Sequence, residues 1–576
     1  FDDIYSNPDS PLEESRYVYS SSLSEPLLKR EQRFVVAELG FGTGLNFLLT
    51  AERFLAAATQ TLCYISFEKH PLEVSLLQKY FGNLEESFSL TEKLLAELRT
   101  LQPGINQIRF GDSNVSLTLV VGDAESWLPQ MQFKAHAWYL DGFAPTKNPD
   151  LWTDKLLAEV SARSVQGSSL ATFTCAGFVR RALIENGWQV SKQAGFGKKR
   201  EMLRALFSKE EQRSANLPRG ERPRDFVVIG AGIAGCSLAY SLQKRGLSVR
   251  VLEKHSRPGE EASGNPLALV MPDLSRQADA RSFLLLYGLQ WAHIHLKELG
   301  FQAVNTEVLR LPTSERLLKL TELLATEGLL SNVVEVVEGD ASNLGSPLEK
   351  YLRFKRAFTV YPQALCEAYL HKANISIEQA NVTGIAHDGK IWSLDLAHGE
   401  RIETEAVILA NAWNAQALLA DGLLPFRSNR GQVLRVAAPD TAPNTPVCFQ
   451  GYLAPIDSTS HVLGASYEHT DHFKSEADLV AELSGKLSEA LPTIDSQKLQ
   501  VLERRGAIRS GTPDRMPFVG PLFEQGPHLY LSCCFGSRGF TLAPLASEYL
   551  AALINDEPLP LDRYVSGAIA PGRYLK

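Results

Sequence analysis

DFVVIGAGIAGCSLAYSLQKRGLSVRVLE, residues 225–253, decides the fold of the larger part of the chain. An apolar strand runs into Gly230, Gly232 and Gly235, a helix follows, and a second strand ends on Glu253. The first glycine allows a tight turn, the second lets backbone approach a pyrophosphate, and the third permits close helix packing. The helix N-terminus then offers unpaired amides and the positive end of its dipole to phosphates. An acid closing the second strand accepts hydrogen bonds from both ribose hydroxyls, which favours FAD or NAD over NADP. Residues 226–243 are nearly all small or apolar, but the glycine spacing and the charged flanks Arg224, Asp225, Lys244 and Arg245 argue against a membrane span. Such a fingerprint normally opens its domain. Here 224 residues precede it, so a complete domain is expected upstream.

With 576 residues the chain exceeds one core, and two or three domains are expected. A composition of 44% apolar and 22% charged residues is that of an ordinary soluble protein. No signal-peptide pattern opens the sequence, and Phe1 in place of Met leads to the expectation that the native start lies upstream. The seven cysteines are odd in number and form no CxxC pair, and no HExxH helix occurs. Neither a disulfide framework nor a metal site is expected, and a reducing cytoplasm fits. The net charge of −8 argues by itself against a nucleic-acid partner, but residues 180–224 carry twelve Lys or Arg against five Asp or Glu. That strip reads either as a solvated linker or as a surface for a polyanion.

Upstream, FVVAELGFGTGLNFLL (34–49) is a second strand, glycine loop and helix, punctuated by Glu38, Gly40, Gly42 and Gly44, and LCYISFE (62–68) closes on Glu68. This E-x-G-x-G-x-G spacing with a strand-end acid is the arrangement by which a class I methyltransferase holds S-adenosylmethionine, although a second dinucleotide fold shares the logic. VVGDAESWL places Asp123 after a third apolar strand, where the methyltransferases that this pattern resembles put an acid against the adenine amino group. AWYLDGFAPTKNPDLW gives a fourth strand ending on Asp141. The carboxyl ends of strands border the ligand crevice, so these four acids should converge. A strand (SLATFT), a helix (AGFVRRALIENG) and a hairpin through Phe207 complete that domain. The stretch 209–224, with two prolines and no apolar periodicity, is the linker.

Beyond Glu253, Ser263, Gly264 and Asn265 are small residues of the kind needed where backbone meets a flavin. Helices are expected at 282–299 and 316–327, short strands over 375–410 leading to Asn411 and Ala412, and a mixed sheet from SNRGQVLRV (428–436) through HVLGASYE (461–468) as a substrate subdomain. GAIRSGTPDRMPFVG (506–520) and LYLSCCF (529–535) lead to Gly536, Ser537, Arg538, Gly539 and Phe540, which open a helix whose N-terminus would stabilise negative charge on a reduced flavin.

ELGFGTGLNFL, FEKHPL, YLDGFAPTKNPDLW, CAGFVRRAL, GFGKKREML, VVIGAGIAG, TPDRMPFVG and GSRGFTLAPLASE, with FDDIYS and EESRYVY near the start, together resemble the family of bifunctional tRNA 5-methylaminomethyl-2-thiouridine biosynthesis proteins, MnmC, over almost the whole chain. The resemblance implies an α/β protein with a class I methyltransferase domain (1–208), a linker (209–224) and a D-amino-acid-oxidase-like FAD domain (225–576). That second domain combines a Rossmann-type βαβ unit with the mixed-sheet subdomain. The family implies that the FAD domain removes the carboxymethyl group of carboxymethylaminomethyl-uridine at the tRNA wobble position, and that the methyltransferase domain methylates the freed amine. The expected cofactor contacts extend to Asn46, Lys69 and Lys254. An arginine should grip the substrate carboxylate, and Arg509 is preferred over Arg430, Arg515 and Arg538. Asp141 is expected to orient the amine and take its proton, the alternative being a capped DGFAP turn. Arg180, Arg181, Lys198, Lys199 and Arg200 are expected on tRNA phosphates. No membrane, metal or obligate protein partner is expected, and the rival reading is a glycine- or sarcosine-like amine oxidase fused to a metabolite N-methyltransferase.

Overall fold

The apolar run Arg33–Leu39 forms β1, buried along nearly its whole length near the middle of an eight-stranded sheet. Burial on both faces is the mark of a parallel strand covered by helices on each side. The structure is a computed structural model that describes residues 10–575 except 24, 58–59, 112, 143, 148, 198, 210–221, 275–278, 328–329, 339–347 and 469–471. Most of the expected linker therefore lies outside the described residues. The chain divides into two units, Phe1–Ala215 with Glu557–Arg563, and Asn216–Asp556 with Tyr564–Lys576.

In the first unit β1 is joined by β2 (Thr61–Glu68), β3 (Gly104–Arg109), β4 (Val115–Val121), β5 (Ala135–Leu140), β6 (Ser164–Thr172), β7 (Trp188–Ala194) and β8 (Glu201–Phe207). Their order is β3-β4-β2-β1-β5-β6-β8-β7. The five strands from β4 to β6 run parallel, while β3 and the hairpin β7–β8 pair antiparallel at the two ends. One strand more precedes Asp123 than the sequence predicts. Asp123 follows the fourth strand in chain order, because the polar segment containing Asn106 and Gln107 is itself an edge strand. Asn106 is buried at no cost in unpaired groups, since its amide bonds to the Gln102 and Gly104 carbonyls at 2.7 and 3.0 Å. The segment Glu557–Arg563 is tied to this unit by Arg33 on Glu557 at 2.6 Å and by the Leu559 amide on the Gln132 carbonyl at 3.0 Å.

The second unit is built on a six-stranded sheet in the order Ile377–Gln379, Ser248–Glu253, Asp225–Ile229, Ala406–Leu409, Leu529–Cys533, Phe518–Pro521. All neighbours are parallel except the last pair. The helix Ile233–Gln243 is buried along almost all its length, which explains the unbroken apolar run that could pass for a membrane span. It packs beside Gly539–Ile554, and buried Glu548 binds the pair together, meeting Lys244 at 2.7 Å, Arg245 at 3.0 Å and His295 at 3.2 Å. A second, eight-stranded sheet contains the long antiparallel pair Arg427–Ala437 and Val501–Gly511. Among the described residues no helix is long and apolar enough to cross a membrane.

Candidate active sites

In the first unit the loop between β1 and the helix Leu45–Ala57 turns on Gly40, Gly42 and Gly44, all with positive φ. A side chain at Gly40 would stand 2.5 Å from the Asp141 carbonyl oxygen, so the loop and the end of β5 can touch only through glycine. Glu68 closes the other side. One carboxylate oxygen accepts the Gly42 amide at 3.0 Å and the other the His70 amide at 2.9 Å. Each carboxylate oxygen keeps a second lone pair for a hydroxyl. Asp123 caps the short helix Ala124–Trp127 and pairs with Lys69 at 3.2 Å. These contacts hold its carboxyl below the usual range although burial acts the other way.

Glu38, Asn46 and Asp141 form one network. The Asn46 amide nitrogen donates to Glu38 at 3.0 Å and to Asp141 at 2.6 Å, and Ser66 donates to Glu38 at 2.7 Å. Asn46 also accepts a short hydrogen bond from Ser15, and the Tyr19 hydroxyl donates to Asp141 at 2.7 Å. Burial and the nearby Asp141 push the Glu38 carboxyl up to about 8, so it is largely protonated at neutral pH. Desolvation raises Asp141 to about 6, against the hydrogen bonds from Tyr19 and Asn46. Lys199 acts in the same sense as those bonds, which places that member of the basic strip near the site. Ser15 and Tyr19 were not among the predicted site residues, although both lie in the EESRYVY stretch. Tyr139, Trp138 and Trp152 are buried packing residues. Phe143 lies outside the described residues.

Arg180 and Arg181 are exposed on the helix Gly177–Glu185, and Lys199 and Arg200 are exposed on the turn before β8. Lys199 pairs with Glu14 at 3.7 Å and sits 3.8 Å from the Phe173 ring centroid. Lys198 lies outside the described residues.

The second unit encloses a cavity of about 770 Å³, lined by Gly230, Gly232, Glu253, Lys254, Ser263, Asn265, Asn411, Ala412, Arg509 and the run Gly536–Phe540. Glu253 repeats the Glu68 arrangement, accepting the Ala231 amide at 2.7 Å and the His255 amide at 3.1 Å. Gly230 has a φ of +104°, and a side chain there would lie 2.9 Å from the Asn411 Cα. Gly235 lies outside the lining, with its missing Cβ 1.9 Å from the Gly230 carbonyl oxygen, which is the close packing its spacing predicted. Gly264 is also off the cavity, because the Arg505 guanidinium occupies the space a Cβ would need, 2.1 Å away. The Asn411 side-chain amide oxygen and the Ser532 hydroxyl are buried against this cavity without a hydrogen-bond partner among the described residues. Ala412 and Cys534 on its wall hold left-handed backbone, with φ of 51° and 64°. Buried, unsatisfied and strained groups together suit a bound polar ligand.

Of the four arginines weighed from sequence, Arg509 and Arg538 line the cavity and Arg430 and Arg515 do not; Arg310 lines it too and was not foreseen. Arg310 and Arg281 each reach Asp273 at 3.2 Å. Burial raises the Asp273 carboxyl, but Arg538, Arg310 and Arg281 outweigh it and hold the group ionised. Arg509 stacks on Tyr467, 4.7 Å from the ring centroid.

Residues 225–553 match the FAD dependent oxidoreductase family, and residues 85–208 match a family of S-adenosyl-L-methionine-dependent methyltransferases. The fold of the second unit is shared with glycine oxidase from Geobacillus kaustophilus (TM-score 0.52, 21% identity, 59% of this chain and 96% of that one). It is shared also with L-amino acid deaminase from Proteus myxofaciens (TM-score 0.51, 17% identity, 68% and 99%). Over the full chain, the tRNA 5-methylaminomethyl-2-thiouridine biosynthesis bifunctional protein MnmC of Ectopseudomonas mendocina is 36% identical, covering 100% of this chain and 95% of its own length. The protein of the same name from Methylobacillus flagellatus is 33% identical over 100% and 94%. With a glycine-loop site in each unit and full-length relatives at this identity, the chain belongs to the MnmC family of bifunctional tRNA-modifying enzymes.

Proposed function

We propose that this chain carries out two successive reactions on the wobble uridine of tRNA. The second unit removes the carboxymethyl group of 5-carboxymethylaminomethyl-(2-thio)uridine, and the first methylates the resulting 5-aminomethyl group to give 5-methylaminomethyl-2-thiouridine. The observation that carries the reading is one polypeptide with two glycine-loop sites, each clamped by a strand-end glutamate, one holding a buried carboxylate and the other an arginine-lined cavity. Residues 1–208 and 225–576 are taken as the two domains, with 209–224 as linker, and a cytoplasmic setting follows from the substrate.

S-adenosylmethionine supplies an electrophilic methyl in the first unit, and FAD a two-electron acceptor in the second. Gly40, Gly42, Gly44, Glu68, Lys69 and Asp123 would hold the former. Gly230, Gly232, Glu253, Lys254, Ser263, Asn265, Asn411, Ala412 and Gly536–Phe540 would hold the latter, with Gly539 opening a helix whose N-terminus faces the cavity.

An amine attacks only when unprotonated, and Asp141 is suited to receive the proton that methylation releases. Tyr19 and Asn46 fix its carboxylate from two sides, and a pKa of about 6 leaves it ionised yet basic at neutral pH. Glu38, neutral behind it, adds no second negative charge. In the second unit Arg509 meets the carboxylate of the N-substituted glycine, orienting its α-carbon. Arg180, Arg181, Lys199 and Arg200, with Lys198, contact tRNA phosphates. Under-modified tRNA treated with the protein and analysed by nucleoside mass spectrometry tests the order. Aminomethyl-uridine should accumulate only when S-adenosylmethionine is withheld. Turnover of free glycine or sarcosine at rates rivalling tRNA would replace this reading with a metabolite oxidase.

A further inference from the structure

Gly431 lies on the strand Arg427–Ala437 facing the strand that carries Arg509, with Asn429 paired to Arg509 and Gly431 to Ala507. Its backbone is outside the left-handed region, so chain conformation does not demand glycine. Space does. A Cβ at Gly431 would come within 2.2 Å of Cζ and Nη1 and 2.3 Å of Nη2 of Arg509, so the guanidinium lies directly against the Gly431 Cα. The Tyr467 ring, lining the cavity and 55% exposed, lies 4.7 Å from Cζ. Nη1 donates to the Ser466 carbonyl at 3.2 Å. That carbonyl is itself fixed, because the Ser466 amide donates to Gln432 at 3.0 Å and the Ser466 hydroxyl accepts the Gln432 amide at 2.9 Å.

We infer that Gly431 and Tyr467 are positioning residues that clamp the Arg509 guanidinium and so set the orientation of the fork that receives the substrate carboxylate. The inference rests on the assignment of Arg509 to that carboxylate. A bidentate fork works only when both of its N–H vectors match the carboxylate plane. A flexible arginine tip would lose that match. The contact on one face, the ring and the single tether to Ser466 restrict rotation about the last bonds of the side chain, and the edge that is not tethered is left to the cavity.

The test uses the full-length, FAD-loaded protein and methoxyacetate, a carboxylate whose ether oxygen stands where the oxidisable amine would be, titrated by flavin absorbance. The atoms a Cβ would displace belong to the tip of a flexible side chain, so Gly431→Ala should fold, bind FAD with an unchanged resting spectrum, and methylate aminomethyl-tRNA normally. Its affinity for methoxyacetate should fall by about tenfold or more, the loss of one charge-assisted hydrogen bond, and KM for carboxymethylaminomethyl-tRNA should rise while kcat changes little. Tyr467→Phe should stay near wild type and Tyr467→Ala should not. Arg509→Lys should also weaken binding, and in that background Gly431→Ala should add almost nothing, because the two act through one group. Wild-type affinity in Gly431→Ala, or a full additional loss in the Arg509→Lys background, overturns the clamp alone. Unchanged methoxyacetate affinity and KM in Arg509→Lys overturns the assignment of Arg509 and the clamp with it.

Discussion

Removing the hydroxyl of Tyr19 should change how methyl transfer depends on pH and leave its maximum nearly intact. In the folded first unit Asp141 has a pKa of about 6, the result of desolvation opposed by hydrogen bonds from Tyr19 at 2.7 Å and Asn46 at 2.6 Å. Tyr19 is itself buried and its pKa lies well above the ordinary value, so it remains a donor throughout the working range. A hydrogen bond to a charged acceptor is worth about 1.5 kcal/mol or more, and one pKa unit corresponds to about 1.4 kcal/mol. Tyr19→Phe should therefore raise Asp141 by about one unit, to about 7. The carboxylate fraction at pH 6 then drops about fivefold, while at pH 8.5 it is nearly complete in both proteins. The assay is kcat/KM for methyl transfer to aminomethyl-tRNA from pH 5.5 to 9, expressed as the ratio of variant to wild type. Titration of the substrate amine is common to both proteins and cancels in that ratio. The ratio should climb from about one eighth at pH 5.5, through about one fifth at pH 6, to near one at the alkaline end. A ratio independent of pH would mean that Asp141 is not the group whose ionisation the reaction needs.

Glu38→Gln is expected to stabilise the first unit in alkaline solution. The folded-state pKa of about 8 lies above the ordinary 4.5, so the wild type loses stability as pH rises between those values, and the neutral amide does not. The gain should be absent below pH 4.5 and level off above 8, bounded by about 5 kcal/mol, and a thermal melt series would read it. Gly40→Ala, strained by its φ of +92° and by the Asp141 carbonyl 2.5 Å from the new Cβ, should stop methylation and leave aminomethyl-uridine as the end product. Gly230→Ala should release FAD and leave carboxymethylaminomethyl-uridine, again by nucleoside mass spectrometry. Charge reversal at Arg180, Arg181, Lys199 and Arg200 should weaken tRNA binding and flatten its dependence on salt in filter-binding measurements; unchanged affinity would make the strip a solvated surface.

What the sequence disclosed was what is local in it. Strand, glycine turn, helix and strand-end acid occur within about thirty-five residues in each half, so the places of Gly40, Gly230, Glu68 and Glu253 at the turns and strand ends follow from spacing alone. Partners brought together over long distances were illegible. Tyr19 reaches Asp141 across 122 positions, and Arg310 arrives at the cavity on a strand with no motif of its own. Gly264 shows the converse failure. A small residue in the loop beyond the strand-end acid suggests contact with a ligand, but the space beside it is filled by Arg505 from a distant strand. The edge strand β3 was hidden by its polarity, because Asn106 satisfies its own loop and does not signal the core.

The two units place different chemistry at an equivalent point. In each, the strand beside the glycine-loop strand, on the side away from the strand-end glutamate, finishes against the first glycine of the loop: Asp141 against Gly40 and Asn411 against Gly230. The clamp on the other side is also the same, a glutamate accepting one amide from the glycine loop and one from the histidine two residues on. What differs is the group at the strand end. Methylation of an amine liberates a proton, and the first unit sets a carboxylate with a pKa of about 6 there, held by Tyr19 and Asn46. In the second unit the corresponding side chain is an uncharged amide whose buried oxygen has no hydrogen-bond partner among the described residues, while the arginines of the cavity wall, Arg310, Arg509 and Arg538, stand elsewhere on it. An ionisable group at that strand end would suit a site that must take up a proton, and a neutral acceptor suits one that must hold a ligand still. Exchanging the two, Asp141→Asn and Asn411→Asp, should therefore impair the units differently: the first by loss of kcat with S-adenosylmethionine binding retained, the second by loss of FAD affinity.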